Sequence, residues 1–388
     1  MTCFRRRQLH GVLLAAVLLS ACSSSEPTGQ QGGTDTDHDA GSTASEPSTS
    51  GSSSAVASSG QVTSTTSGSG GEAGSSTETS GNPVPTCCSA DCSRCQDDCP
   101  TETVDQNGLD NAEAMAVFGG QVYWANGSLA ELRRYDELTG EAQLLGTFDH
   151  TITTLAANED AIFFGSRNSA NRIIGSVDPT TGDASVLWEF DEDAVNTGSG
   201  QLALDDTYLY FSASESSETG NGGVFRIALA GGTPELIVQS DLAVGLGLDA
   251  DHVFITDAMN ARVLSLAKSD IGSDVAPTEL ALTLDPGELF VGDEFVYYTS
   301  STGLDRISKD GDNFARLLET SESVFGLTGD NTHLYATTLG GNRVVRLARG
   351  TEDPQIVDIA ADGHLAVAVS CDAVYWVNPE GELRRRQK

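Results

Sequence analysis

The sequence is short of basic residues, of histidine and of long apolar runs. Lys and Arg number 21 against 56 Asp and Glu, a formal net charge of −35 over 388 residues. That balance excludes a nucleic-acid binder, which must set basic side chains against phosphates to release their counterions. No apolar stretch approaches the roughly 20 residues a helix needs to cross a bilayer, so no integral membrane span is expected. Catalytic signatures are lacking as well: there is no His-Glu-x-x-His pair, no Gly-Lys-Ser/Thr phosphate loop and no Gly-x-Ser-x-Gly elbow.

What is present divides the chain into four parts: residues 1–22, 23–86, 87–100 and 101–388. The first reads as an export signal, with Arg5, Arg6 and Arg7 ahead of an apolar run from Gly11 to Leu19. It ends in Leu19-Ser20-Ala21-Cys22, which resembles the lipobox of bacterial lipoproteins. The resemblance implies a lipid on Cys22 after cleavage, and several acyl chains at about 0.8 kcal/mol per buried CH2 hold a protein firmly to a membrane. Ser23 in place of Asp implies the outer membrane or cell surface. Residues 23–86 carry 18 Ser, 11 Thr and 11 Gly with no aromatic and no basic residue. Such a segment cannot bury enough apolar surface to offset its ordering entropy and is expected to be a disordered stalk, with an r.m.s. span of about 45 Å. Within it, Asp35, Asp37, Asp39 and Glu46 match part of a calcium loop, but Ala40 stands where that loop needs Gly. Calcium or another divalent metal is therefore unsupported, and no cofactor is implied.

Five cysteines follow in thirteen residues: Cys87, Cys88, Cys92, Cys95 and Cys99. In an exported chain such a cluster reads as a disulfide framework before a zinc site. With Cys3 removed and Cys22 lipidated, six cysteines remain, the sixth being Cys371. Three bridges then require one cysteine of the cluster to pair with Cys371.

From residue 101 onward one pattern recurs seven times, a turn followed by a β-branched or aromatic run: Val122-Tyr123-Trp124, Ile162-Phe163-Phe164, Leu209-Tyr210-Phe211, Val253-Phe254-Ile255, Val296-Tyr297-Tyr298, Leu334-Tyr335-Ala336 and Val374-Tyr375-Trp376. The mean spacing of about 42 residues is that of one four-stranded propeller blade. Alternating small and apolar residues precede each run, as at Leu202 and Leu204, and turns rich in Asp, Asn or Gly join the two. Arg226, Arg306 and Arg346 fall at matching places on the third strand. The fold expected is all-β, a propeller of seven blades, with six as the alternative. The last repeat lacks its fourth strand, and residues 101–106 are expected to supply it and close the ring.

The Tyr-Trp pairs at 123–124 and 375–376, with Thr256-Asp257-Ala258-Met259-Asn260-Ala261-Arg262-Val263, resemble the signatures of the NHL, YWTD and TolB-like propellers. The resemblance implies architecture rather than activity. Topology sorts the loops onto two faces. One collects turn acids: Asp160, Asp205, Asp206, Asp249, Asp251, Asp293, Asp330 and Asp372. The other surrounds the channel mouth and carries the candidate ligand-binding residues Asn126, His150, Arg167, Asn171, Arg172, Asn260, Arg262, Glu288, Asn342, Arg343, His364 and Asn378. The expected function is a binding module for a protein, peptide or glycan, tethered to the membrane by lipid in the cell envelope. The alternative is a hydrolase or lyase working at the channel mouth. No catalytic residue is assigned.

Overall fold

The computed structural model describes residues 100–106, 112–126, 130–167, 172–190, 195–215, 222–349, 351, 356–361 and 365–388. All of them belong to the compact unit Glu78–Lys388. The lipobox, the stalk and the five clustered cysteines lie outside the described residues. No described helix is long and apolar enough to cross a membrane.

The described residues form seven four-stranded antiparallel sheets. β1 (Glu102–Asp105) comes first and stands apart in sequence from the sheet it joins. Blade 1 is β2–β5 (Ala112–Phe118, Gln121–Asn126, Glu131–Asp136, Glu141–Thr147), and blade 2 is β6–β9 (Thr151–Ala157, Ile162–Arg167, Arg172–Val177, Ala184–Phe190). Blade 3 is β10–β13 (Val195–Leu204, Tyr208–Glu215, Gly223–Ala228, Glu235–Gln239), and blade 4 is β14–β17 (Ala243–Leu248, His252–Asp257, Arg262–Ala267, Thr278–Leu282). Blade 5 is β18–β21 (Leu289–Val291, Phe295–Ser300, Gly303–Ser308, Phe314–Glu319), and blade 6 is β22–β25 (Ser323–Gly329, His333–Leu339, Arg343–Ala348, Ile356–Ala360). Blade 7 takes β26–β28 (Val367–Val369, Ala373–Val377, Leu383–Gln387) and completes itself with β1, in the order β1-β28-β27-β26. The seven-bladed ring and its closure by residues just after the cysteine cluster are as the sequence predicts.

Why the second strand of each blade is apolar on both faces is now plain. Successive side chains of a strand point to opposite sides, and each blade is covered on both sides by a neighbour. The seven clusters of buried apolar residues correspond to the seven interfaces between adjacent blades. Between blades 3 and 4, for example, Ala203 and Tyr210 meet Val253 and Ile255. Between blades 7 and 1, Tyr375 and Val377 meet Val122 and Trp124. At about 1.5–3 kcal/mol for each fully buried large apolar side chain, these interfaces dominate the stability of the ring.

The arginines of the third strand belong to this packing. Tyr123, Tyr210, Tyr297, Tyr335 and Tyr375 lie opposite Arg134, Arg226, Arg306, Arg346 and Arg385. Where the tyrosine is replaced by Phe163 or Phe254, the residue opposite is Ser176 or Ser265. Arg226 lies 4.4 Å from the Tyr208 ring centre and Arg306 4.3 Å from that of Phe295, so the guanidinium planes cover aromatic faces. Arg226 and Arg306 are thus part of the packing.

Closure is reinforced by charge. Glu102 and Thr103 pair with Arg385 and Arg384, and Arg385 meets Glu102 at 2.7 Å. Asp105 reaches blade 1, accepting a 2.9 Å bond from Arg133 Nε with both side chains almost fully buried.

Candidate functional site

Each blade runs its second strand toward the channel mouth and its third strand away from it. The loops between these strands, and those leading to the next innermost strand, therefore surround the mouth. The opposite face carries the turns between first and second strands.

On that opposite face the acids are turn caps and blade clasps. Asp205, Asp249 and Asp330 each accept backbone N–H bonds from the residues two and three positions on, closing the turn. The second carboxylate oxygen then binds a lysine that follows the third strand of the next blade: Lys268 to Asp205 at 2.9 Å, Lys309 to Asp249 at 2.7 Å and Lys388 to Asp330 at 2.7 Å. Burial alone would raise the Asp330 carboxyl, but Lys388 and the N–H groups of Thr332 and His333 outweigh it and hold it at about 2. Blade 7 has Ser370 at the capping position, and blade 1 answers with an acid rather than a lysine. Glu137 accepts from Ser370 Oγ at 2.5 Å and from Tyr375 OH at 2.7 Å.

At the mouth, blade 4 shows what the Asn and Arg ahead of the third strand do. Asp257 is fully buried and accepts from Asn260 Nδ2 at 2.9 Å, Arg262 Nε at 3.0 Å and Arg262 Nη2 at 2.9 Å. Blade 5 builds a similar knot, in which buried Asp305 accepts from Ser300 at 2.9 Å and from Arg316 at 2.7 and 3.1 Å. Asn378 donates to Glu382 at 2.9 Å and accepts from its N–H at 2.8 Å, which makes it a loop cap. Asn342 has a φ of 49°, the left-handed conformation that asparagine tolerates, directly before Arg343, which lies 4.0 Å from Glu322. The recurrence of Asn and Arg here follows from turn geometry.

Glu288 and His150 sit just ahead of innermost strands. Glu288 lies in the channel wall, where its carboxylate accepts from Leu327 N–H of blade 6 at 3.0 Å. Burial pushes its pKa up to about 7, and the Leu327 bond only partly offsets this. The equivalent position in blade 3 is Gln201, absent from the sequence-based candidates. Its amide oxygen accepts from Leu246 N–H at 3.2 Å and Leu289 N–H at 2.9 Å, linking blades 3, 4 and 5. Gly245 and Gly326 hold the same position in blades 4 and 6, where a Cβ would stand 2.5 Å from the Gly287 or Leu365 carbonyl oxygen of the next blade. The innermost strands thus lack room for side chains at two blades, and Gln201 and Glu288 supply the acceptors.

His150 is half-buried at the start of blade 2. Asn126, Arg167 and Arg172 end or begin strands at the mouth, but their side chains are outside the described residues, as are Asn171 and His364 altogether. The structure therefore brings together Asn260 with Arg262 around Asp257, and sets Glu288 deeper, in contact with blade 6. Among the described residues no group of three or more His, Cys, Asp and Glu is placed to hold a metal ion. Cys371 lies half-buried in the first turn of blade 7, on the face opposite the mouth. The five cysteines among which its partner is expected fall outside the described residues.

The arrangement is that of a seven-bladed β-propeller. Solved structures with the same architecture include streptogramin B lyase (TM-score 0.58, 13% identity, covering 74% of this chain and 97% of that one). The Cps50 (Swd1) propeller of Myceliophteria thermophila gives 0.57 at 9% identity over 74% and 100% of the two chains. BamB from Moraxella catarrhalis gives 0.51 at 12% identity over 72% and 85%. At these identities the likeness carries the fold alone. No protein-family model and no curated protein matches the sequence.

Proposed function

We propose that this chain is a lipoprotein of the cell envelope, anchored through Cys22, whose propeller binds a protein, peptide or glycan at the channel mouth. One observation carries the reading. β1 pairs antiparallel with β28, Glu102 opposite Arg385 and Asp105 opposite Leu383. The chain therefore joins the ring on the acidic-turn face and runs toward the mouth, so the attachment point and the mouth are on opposite faces. A tether fixed in this way leaves the mouth unobstructed. The knots around Asp257 and Asp305 support the reading too, because they fix polar groups of the rim before any ligand arrives and lower the ordering cost of binding. Cys371 shares the face on which β1 begins.

Mass spectrometry of the N-terminal peptide and membrane fractionation test the anchor. The wild type should carry acyl chains on Cys22 and sediment with membranes, and Cys22→Ala should be soluble. An unmodified Cys22 overturns the anchor. A glycan and peptide array, repeated with Asn260→Ala and Arg262→Ala, tests the module. Binding unaffected by mouth substitutions would move the site elsewhere, and turnover of an array compound would favour the hydrolase or lyase alternative.

A further inference from the structure

Among the described residues most exposed large apolar side chains sit on separate elements: Leu138 and Val275 in turns of the acidic face, and Leu144, Val186, Leu236 and Phe314 each on a different outermost strand. Blade 4 is the exception. Met259 is 62% exposed at the tip of the loop between its second and third strands, and Leu282 and Leu284 are 74% and 71% exposed where its outermost strand ends. Two links hold these segments side by side. Leu282 pairs with Arg262, and Thr283 N–H donates to the Ala261 carbonyl at 2.8 Å. These links set three exposed apolar residues on two adjoining segments at the rim of the mouth, beside exposed Asn260. Clustered exposed apolar residues bounded by polar ones mark interaction surfaces, whereas scattered ones do not.

Charge around the patch selects the partner. Arg262 and Arg316 are each matched by a buried aspartate, Asp257 and Asp305. Ser301 of the blade 5 loop donates to the Leu284 carbonyl, and the exposed Asp285, beside Leu284, and Glu319, at the end of β21 opposite Gly303, add acid on this side of the ring. The chain as a whole carries −35, so a second copy would be repelled. We infer that the blade 4 rim docks a polypeptide segment that presents apolar side chains flanked by Lys or Arg. This deepens the binding reading above and rests on it. The apolar residues would supply the buried contact, and the acids would set orientation and association rate.

The test uses the exported chain carrying Cys22→Ser and three labelled twelve-residue peptides, of alternating Leu and Lys, Ser and Lys, and Leu and Glu. The Leu/Lys peptide should bind at least tenfold more tightly than either control in fluorescence anisotropy. Met259→Ser with Leu282→Thr and Leu284→Ser should weaken it at least tenfold without changing the melting temperature, since all three side chains are exposed. Asp285→Lys with Glu319→Lys should weaken it three- to tenfold and flatten its salt dependence. Equal binding of the three peptides, or an unchanged affinity in the apolar variant, overturns the inference. So does a concentration-dependent dimer in sedimentation that the apolar variant abolishes, because the patch would then serve self-association. If the array ligand still binds at Asn260 and Arg262 while the patch variant behaves as wild type, the docking inference fails and the binding reading stands.

Discussion

The two faces of the ring use similar residues in opposite ways. On the acidic-turn face a carboxylate reaches from one blade to the next, as in Asp205–Lys268, Asp249–Lys309 and Asp330–Lys388. On the mouth face the knots of blades 4 and 5 stay within a blade, as in Asp257–Arg262 and Asp305–Arg316, and Asp105–Arg133 at the closure is the exception. Ion pairs between blades resist separation of neighbours, whereas those within a blade fix loop shape. The first kind stabilises the ring, and the second stabilises the loops of the rim. A propeller can therefore vary its mouth without loosening its frame.

The contrast makes graded predictions. The largest effect is expected at Asp105, which crosses the closure and is buried against Arg133. Asp105→Ala removes the more buried of two carboxylates on Arg133, whose Nη1 keeps Glu131 at 3.2 Å, and should cost about 3 kcal/mol in urea unfolding. A cost no larger than that of an exposed pair would remove charge from the account of closure.

Glu288 links blades 5 and 6 and should make stability fall as pH rises. Its folded-state pKa of about 7 lies above its ordinary value of 4.5, so the folded protein holds the proton more tightly. Stability should be greatest below about 4.5, decline as pH rises through 7 and level off beyond, a change of about 3 kcal/mol. Glu288→Gln should abolish that decline in melts across the same range. A wild-type curve flat between pH 4.5 and 7 would contradict it.

Asp330 follows. Its pKa of about 2 lies below the ordinary 3.8, so its contribution is complete above 3.8 and lost as pH falls through 2. Asp330→Asn should lower stability by about 2 kcal/mol at neutral pH and by almost nothing near pH 2. The smallest effect belongs to the mouth: Asn260→Ala, at an exposed residue bonded within its own loop, should change stability by less than about 1 kcal/mol. If Asn260→Ala proves as costly as Asp330→Asn, the division between frame and rim fails.

Much of this frame can be read from the chain before any coordinates. The spacing of Val122-Tyr123-Trp124 and its six counterparts gives the blade count, and the truncated last repeat points to the segment that became β1. The turn acids read as caps, as Asp205, Asp249 and Asp330 are. Their second role does not show in the sequence, because Lys268 stands 63 residues from Asp205 and meets it only through the offset between neighbouring blades. Gln201 carries no sequence signal for the same reason, its partners being backbone groups 45 and 88 residues away. The Asn and Arg of the mouth were legible as a recurrent motif, but only the burial of Asp257 shows what they serve. The rim patch escaped because Met259, Leu282 and Leu284 look like ordinary packing residues until two loops are seen side by side.

The closure strand has one mechanical consequence. Because the chain joins the ring at the outer end of β1 and the hydrogen bonds of an antiparallel pair run perpendicular to the strands, a pull from the N-terminal side acts along the strand and shears its bonds to β28 together. Peeling would break them one at a time and yield at lower force. A seam loaded in shear would suit the lipid tether proposed above.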